Sequence, residues 1–231
     1  MYRVIPYVFL EGLKKYFRVS VEGANKIPRQ GPVLFTPNHS GYSGLDAMMV
    51  SHILHQTTGR PVRVLTHHLW FLSKTTAGPA QKLGFIEATK ENGIRFLNRN
   101  QQVVLFPEGE RGNFKPTSKA YQLQEFKRGF IRLALKTQAP IVPTLVIGAE
   151  ETSINLKQIE LNFMKKNLIL PLPFNLIPLP VKWKIVFLDP IYFPYAPESV
   201  EDSDLVHELC SVVKDKMQRA LSDEVKKRNL F

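Results

Sequence analysis

Short runs of branched and aromatic apolar residues, each about one strand long, alternate along this chain with longer segments of helical periodicity. That alternation constrains the fold more than any other feature. The apolar runs fall near residues 33–36, 62–66, 85–88, 103–106, 141–147 and 182–188, and the helical segments near 45–54, 69–83, 91–99, 124–137 and 202–227. Strands joined through helices pair in parallel, and a parallel sheet has to be covered on both sides. The expected class is therefore α/β, a mostly parallel central sheet with helices on both faces. No Pro/Gly/Ser-rich linker divides the 231 residues, and 44% hydrophobic content is enough for one sizeable core, so a single domain spanning residues 1–231 is expected.

Ligands of open parallel sheets gather at the carboxyl ends of the strands, and two of the apolar runs end in residues that carry chemistry. One leads into Pro37-Asn38-His39-Ser40-Gly41-Tyr42-Ser43-Gly44-Leu45-Asp46, the other into Pro107-Glu108-Gly109-Glu110-Arg111-Gly112. Attack by an alcohol on an activated acyl group needs a base to take its proton, and an imidazole with a pKa of about 6.5 is poised for that work. His39 is the candidate base. A thioester is already a good electrophile with a good leaving group, so a histidine and a carboxylate suffice without a nucleophilic residue, a metal or a redox cofactor.

Asp46 would accept a hydrogen bond from the second ring nitrogen and fix the tautomer, as the carboxylate of a catalytic triad does. Gly41 and Gly44 can let the six-residue spacer fold back to allow it. The alternative for Asp46 is an N-cap of the helix that follows. In the second motif, Arg111 suits a phosphate or polar head group. Glu108 either holds Arg111 or accepts from hydroxyls of a ligand, and the alternative for the pair is an ion pair closing a turn. Lys115, Lys119, Lys127 and Arg128 would add positive potential for a phosphate.

In this pairing of motifs the chain resembles the glycerolipid acyltransferases, the lysophosphatidic acid acyltransferase superfamily. That superfamily carries Asn-His, four residues, Asp, and later Phe-Pro-Glu-Gly-Thr-Arg. The resemblance runs from about Val33 to Pro190. It is nearest in pattern to the monoacylglycerol-acyltransferase-like branch, which shares the lengthened, glycine-containing spacer between His39 and Asp46. Leu83-Gly84-Phe85-Ile86, Lys127-Arg128-Gly129-Phe130, Ala139-Pro140-Ile141-Val142-Pro143 and Gly148-Ala149-Glu150-Glu151 follow in the order of that branch. The resemblance implies transfer of a fatty acyl group from acyl-CoA or acyl carrier protein to a hydroxyl of a glycerol-based lipid. A lysophospholipid such as 1-acylglycerol 3-phosphate is the first choice of acceptor. Mono- or diacylglycerol is the alternative, because Glu110 stands where the family has threonine; a lipid binder without turnover is a further one. His39 and Asp46 would be catalytic, and Glu108, Gly109, Arg111, Lys127 and Arg128 would bind substrate. The arginine that many relatives carry just after the apolar pair Phe85-Ile86 is missing here, so no acceptor contact is carried over for that segment.

The formal charge of +11 calls for an anionic partner. The basic residues are dispersed, with no zinc-finger spacing and no aromatic RNA-binding signature, which argues against nucleic acid. A membrane surface fits better. Residues 1–18 form an amphipathic segment too short to span a bilayer, expected to lie on its surface, and residues 168–180 read as an apolar, proline-rich loop. A peripheral protein on the cytoplasmic face of a membrane is expected. Cys210 is the single cysteine, so there is no disulfide framework, and His67 and His68 lack companions at metal-ligand spacing. Ser43 lacks the second glycine of a nucleophile elbow, which disfavours a serine hydrolase.

Overall fold

The computed structural model describes residues 4–67, 71, 73–163 and 166–228. A seven-stranded sheet forms its centre, in the order β1-β9-β6-β2-β5-β3-β4. Its strands are β1 (Ser20–Glu22), β2 (Val33–Pro37), β3 (Val62–Thr66), β4 (Phe85–Glu87), β5 (Gln102–Leu105), β6 (Ile141–Ile147) and β9 (Lys184–Phe187). All pairings are parallel except β6 with β9. Strand β2 lies between β6 and β5, all three nearly free of exposed side chains, as β-branched runs covered on both faces should be.

Helices cover both faces. On one side α4 (Lys90–Leu97), α6 (Gly129–Thr137) and α8 (Ser203–Lys226) close a core containing Phe130, Leu135, Val213, Met217 and Leu221. On the other, α2 (Leu45–Thr58) contributes Met49, Val50, Ile53 and Leu54, beside Phe35, Val104 and Phe187. Local signals set the helix ends. Thr89 caps α4 by accepting from Asn92 N–H, and Asp202 caps α8 by accepting from Asp204 and Leu205 N–H.

Three sequence expectations change. The helix expected over 124–137 starts only at Gly129, because the N–H groups of Gln124 and Lys127 are drawn to Glu108 and to Pro107 O. The expected loop over 168–180 is half strand. β7 (Asn155–Phe163) and β8 (Lys166–Pro173) form a separate antiparallel hairpin, and only residues 174–180 are irregular. Pro171 and Pro173 are tolerated because both strands of a two-stranded ribbon are edges. Part of the helix expected over 69–83 lies outside the described residues; α3 (Lys74–Lys82) is its described portion.

The amino-terminal segment is α1 (Val4–Tyr16), and it is not laid on the surface alone. Leu10 and Phe17 are fully buried, Phe17 stacks on Trp183 with ring centroids 4.5 Å apart, and Glu11 pairs with His52 of α2 at 2.6 Å. Tyr7, Val8, Phe9 and Tyr16 remain exposed. Residues 1–3 lie outside the described region. No helix among the described residues is long and apolar enough to cross a membrane.

Candidate active site

The carboxyl ends of β6, β2 and β5 are neighbours, and each delivers an ionisable residue to the same edge of the sheet: Glu150, His39 and Glu108. Asn38 anchors the middle one. Its side chain donates to Val146 O (3.0 Å) and accepts from Val146 N–H (2.7 Å), continuing the β2–β6 pairing beyond the end of β2. The residue that follows is thereby held in register, a role of Asn38 that the sequence signals only by its place before the histidine.

His39 Nδ1 lies 2.6 Å from Asp46 Oδ2. Gly41 and Gly44, both at φ near +70°, turn the longer spacer back on itself and bring the two side chains together. Asp46 is fully buried and also accepts from Ser40 N–H (2.9 Å) and Ala47 N–H (2.7 Å). It is not the N-cap of α2, a position that Gly44 occupies. An ionised carboxylate can only accept, so Nδ1 carries the proton and Nε2 keeps its lone pair for another partner. The imidazole packs on Phe106 at 4.1 Å between centroids and its side chain stays 14% exposed.

Glu108 departs from expectation. It is buried and pairs with neither Arg111 nor solvent. Oε1 accepts from His39 N–H at 2.9 Å, Oε2 accepts from Gln124 N–H at 2.7 Å, and Lys115 Nζ stands 3.7 Å from Oε2. Gly112 is required beside it, since a Cβ there would fall 2.3 Å from Glu108 Cβ. Lys115, expected to add positive potential for a phosphate, is buried with its ammonium 2.9 Å from Glu150 Oε1. One buried cation thus serves two carboxylates. Burial first, with the nearby Glu108 charge adding to it, pushes the Glu150 carboxyl up to about 7 despite Lys115.

That shift carries a pH signature. A carboxyl raised by folding stabilises the native state while it is protonated, and the contribution is lost as pH rises through about 7. Denaturant unfolding between pH 5 and 8 should therefore show a steeper loss of stability for the parent than for Glu150→Gln. Equal slopes would mean that Glu150 titrates normally.

Arg111 lies on the short helix α5 (Gly109–Asn113) and is exposed, with no ion-pair partner for its guanidinium among the described residues. Beside it, Glu110, the acid that stands where the family has threonine, lies with Oε1 2.8 Å from Nε2 of His67, just past the end of β3. Lys127 Nζ passes 3.0 Å from where a Gly109 Cβ would stand, which places Lys127 over the Glu108-Gly109 turn. Arg128 is exposed at the start of α6, near enough to Cys210 for its charge to be felt there. The structure thus groups His39, Asp46, Glu108, Gly109 and Lys127, with Arg111 and Arg128 on flanking surfaces.

Ile141 to Pro143 belong to the buried strand β6. A separate apolar pocket of about 220 Å³, lined by Leu65, Ile94, Leu105 and Leu133 with Lys90 and Arg132, lies between α4 and α6. No group of three His, Cys, Asp or Glu among the described residues is placed to hold a metal, and His68 lies outside them.

A mostly parallel sheet with an oriented imidazole at its carboxyl edge defines a class, and the comparisons agree with it. Residues 18–147 match the Acyltransferase family model, more than half of the chain, and the chain belongs to that family. An uncharacterized protein of Mycobacterium tuberculosis is 34% identical over 94% of the chain, which spans 65% of that relative's length. The 1-acyl-sn-glycerol-3-phosphate acyltransferase alpha of Homo sapiens is 28% identical over 58% of this chain and 47% of its own. In fold, the chain is similar to the crystal structure of the 1-acyl-sn-glycerophosphate acyltransferase of Thermotoga maritima, with TM-score 0.65 and 18% identity over 97% of this chain and 80% of that one.

Proposed function

We propose that the protein is a peripheral membrane O-acyltransferase, acting at the cytoplasmic face, that moves a fatty acyl group from acyl-CoA or acyl carrier protein to a hydroxyl of a glycerol-based lipid. The observation that carries this reading is the 2.6 Å contact of His39 Nδ1 with a buried carboxylate, which leaves Nε2 free to act as base. Nε2 takes the hydroxyl proton as the acceptor oxygen bonds to the thioester carbonyl. The tetrahedral intermediate then expels the thiolate, and the imidazolium returns the proton to it. Asp46 stabilises the imidazolium in between. No metal or redox step is needed.

A lysophospholipid, 1-acylglycerol 3-phosphate first, is the favoured acceptor, supported by the similarity to the human 1-acyl-sn-glycerol-3-phosphate acyltransferase. Arg111 and Lys127 offer the cations for its phosphate. The exposed apolar side of α1, with Lys15 and Arg18 beside it, supports contact with an anionic bilayer.

The test offers the purified protein a radiolabelled acyl thioester with lysophospholipids, glycerol 3-phosphate and mono- and diacylglycerols, and resolves the products. Labelled phosphatidic acid is the expected product; label only in di- or triacylglycerol would move the assignment to a neutral acceptor, and no product with any of them would leave a lipid binder. Arg111→Ala is expected to raise KM for a phosphorylated acceptor about tenfold or more, the loss of one charge-assisted contact. Unchanged acceptor kinetics would remove Arg111 from the acceptor site.

A further inference from the structure

The most exposed large apolar side chains sit together, in the segment that follows the β7–β8 hairpin. Phe174 is 70% exposed, Leu176 85% and Ile177 79%, with Leu170 and Leu172 exposed on β8 just before them. The segment is tied to α1, since Tyr16 Oη donates to Pro178 O at 2.7 Å and Arg18 donates to Pro180 O. One face therefore combines Phe174, Leu176 and Ile177 with Val8, Phe9 and Tyr16. Its charge is one-sided: among the described side chains Lys15, Arg18 and Lys182 are exposed in these segments, and residues 12–21 and 169–183 contain not one acid. Apolar tips framed only by cations complement an anionic bilayer.

The base of this segment is built to hold shape, and it reaches the catalytic loop. Asn175 accepts from Ile154 N–H (2.8 Å) and donates to Thr152 O (3.1 Å) and Ile177 O (2.7 Å). Its carbonyl accepts from the hydroxyl of Tyr42, which lies in the loop between His39 and Asp46. Thr152 ends α7 (Ala149–Thr152), the helix that carries Glu150. The Tyr42 hydroxyl is thus a direct link between residues 174–180 and the catalytic loop.

Resting on the membrane reading above, we propose that residues 174–180 insert into an anionic lipid surface and that Tyr42 passes this docking to the His39–Asp46 loop as a positioning residue. Docking holds Asn175, and Asn175 holds Tyr42. The loop that turns on the two left-handed glycines, Gly41 and Gly44, is then fixed while the protein is on its substrate's surface.

The experiment uses the full chain and two readouts that require no acyl transfer, so that a failure of the catalytic reading leaves them interpretable. Vesicles of phosphatidylcholine with one part in three phosphatidylglycerol are compared with phosphatidylcholine alone. The parent should cosediment with the anionic vesicles, and Leu176→Asp/Ile177→Asp should reduce the bound fraction at least fivefold while its melting temperature is unchanged. Undiminished binding would overturn the docking surface; so would a shift from dimer to monomer with binding intact, which would make this face a contact between copies. Hydrogen exchange of the amides of residues 40–46 should slow at least threefold when vesicles are added to the parent. Tyr42→Phe should bind vesicles like the parent and lose that slowing. A loop indifferent to vesicles in the parent, or equally slowed in Tyr42→Phe, would overturn the coupling.

Discussion

His39→Ala is expected to lower the rate of acyl transfer by about 10² to 10⁴, the range that a positioned general base supplies, with the fold intact. At 1.36 kcal/mol per decade this is about 3 to 5 kcal/mol of transition-state stabilisation. The fold survives because Asp46 keeps two backbone donors, Ser40 N–H and Ala47 N–H, so its buried carboxylate is not left unpartnered. The backbone N–H of residue 39 still has Glu108 to bond. Initial rates with a labelled thioester, alongside a thermal melt, separate the two effects. A variant that keeps more than about a tenth of the parent rate would place the base elsewhere. Loss of rate with a large drop in melting temperature would instead make His39 a packing residue against Phe106.

Much of this arrangement is legible before folding is considered. His39 and Glu108 follow β-branched runs that have to be strands, and parallel strands with helical connections have to end at one edge, so their convergence follows from topology. What could not be read is which way each side chain turns there. Glu108 has the residue type and spacing of a ligand for a hydroxyl or an arginine. Its actual partners are two main-chain N–H groups and Lys115, contacts separated in sequence by 69, 16 and 7 residues, and nothing in local pattern signals them. Lys115 likewise reads as positive potential for a phosphate, and only the approach of Glu108 and Glu150 in the fold shows it between two carboxylates. The hairpin failed for another reason. β7 alternates polar and apolar residues like an ordinary half-buried strand, but the prolines of β8 are evidence against a central strand only, and a two-stranded ribbon has no centre. The three-residue β1 is too short to carry any period.

The reversal at Glu108 yields the second large effect. Glu108→Ala is expected to cost about 3 to 5 kcal/mol of stability, because the Lys115 ammonium loses one of its two buried counter-charges and two buried N–H groups lose their acceptor. Against a total of about 5 to 15 kcal/mol for an ordinary domain, that is a large share. Denaturant unfolding measures it, and Glu108→Gln, which keeps the shape and one acceptor oxygen, should retain roughly half or more of the loss. Kinetics on Glu108→Gln then decide between the two roles the residue has been given. If Glu108 positions the main chain of His39, kcat falls while KM for the acceptor holds, since the base is displaced and the acceptor's own contacts are intact. If it met acceptor hydroxyls directly, KM would rise with stability unchanged. The buried position, with both oxygens committed to the protein, favours the first outcome; the second would require the carboxylate to leave Gln124 and His39 for substrate.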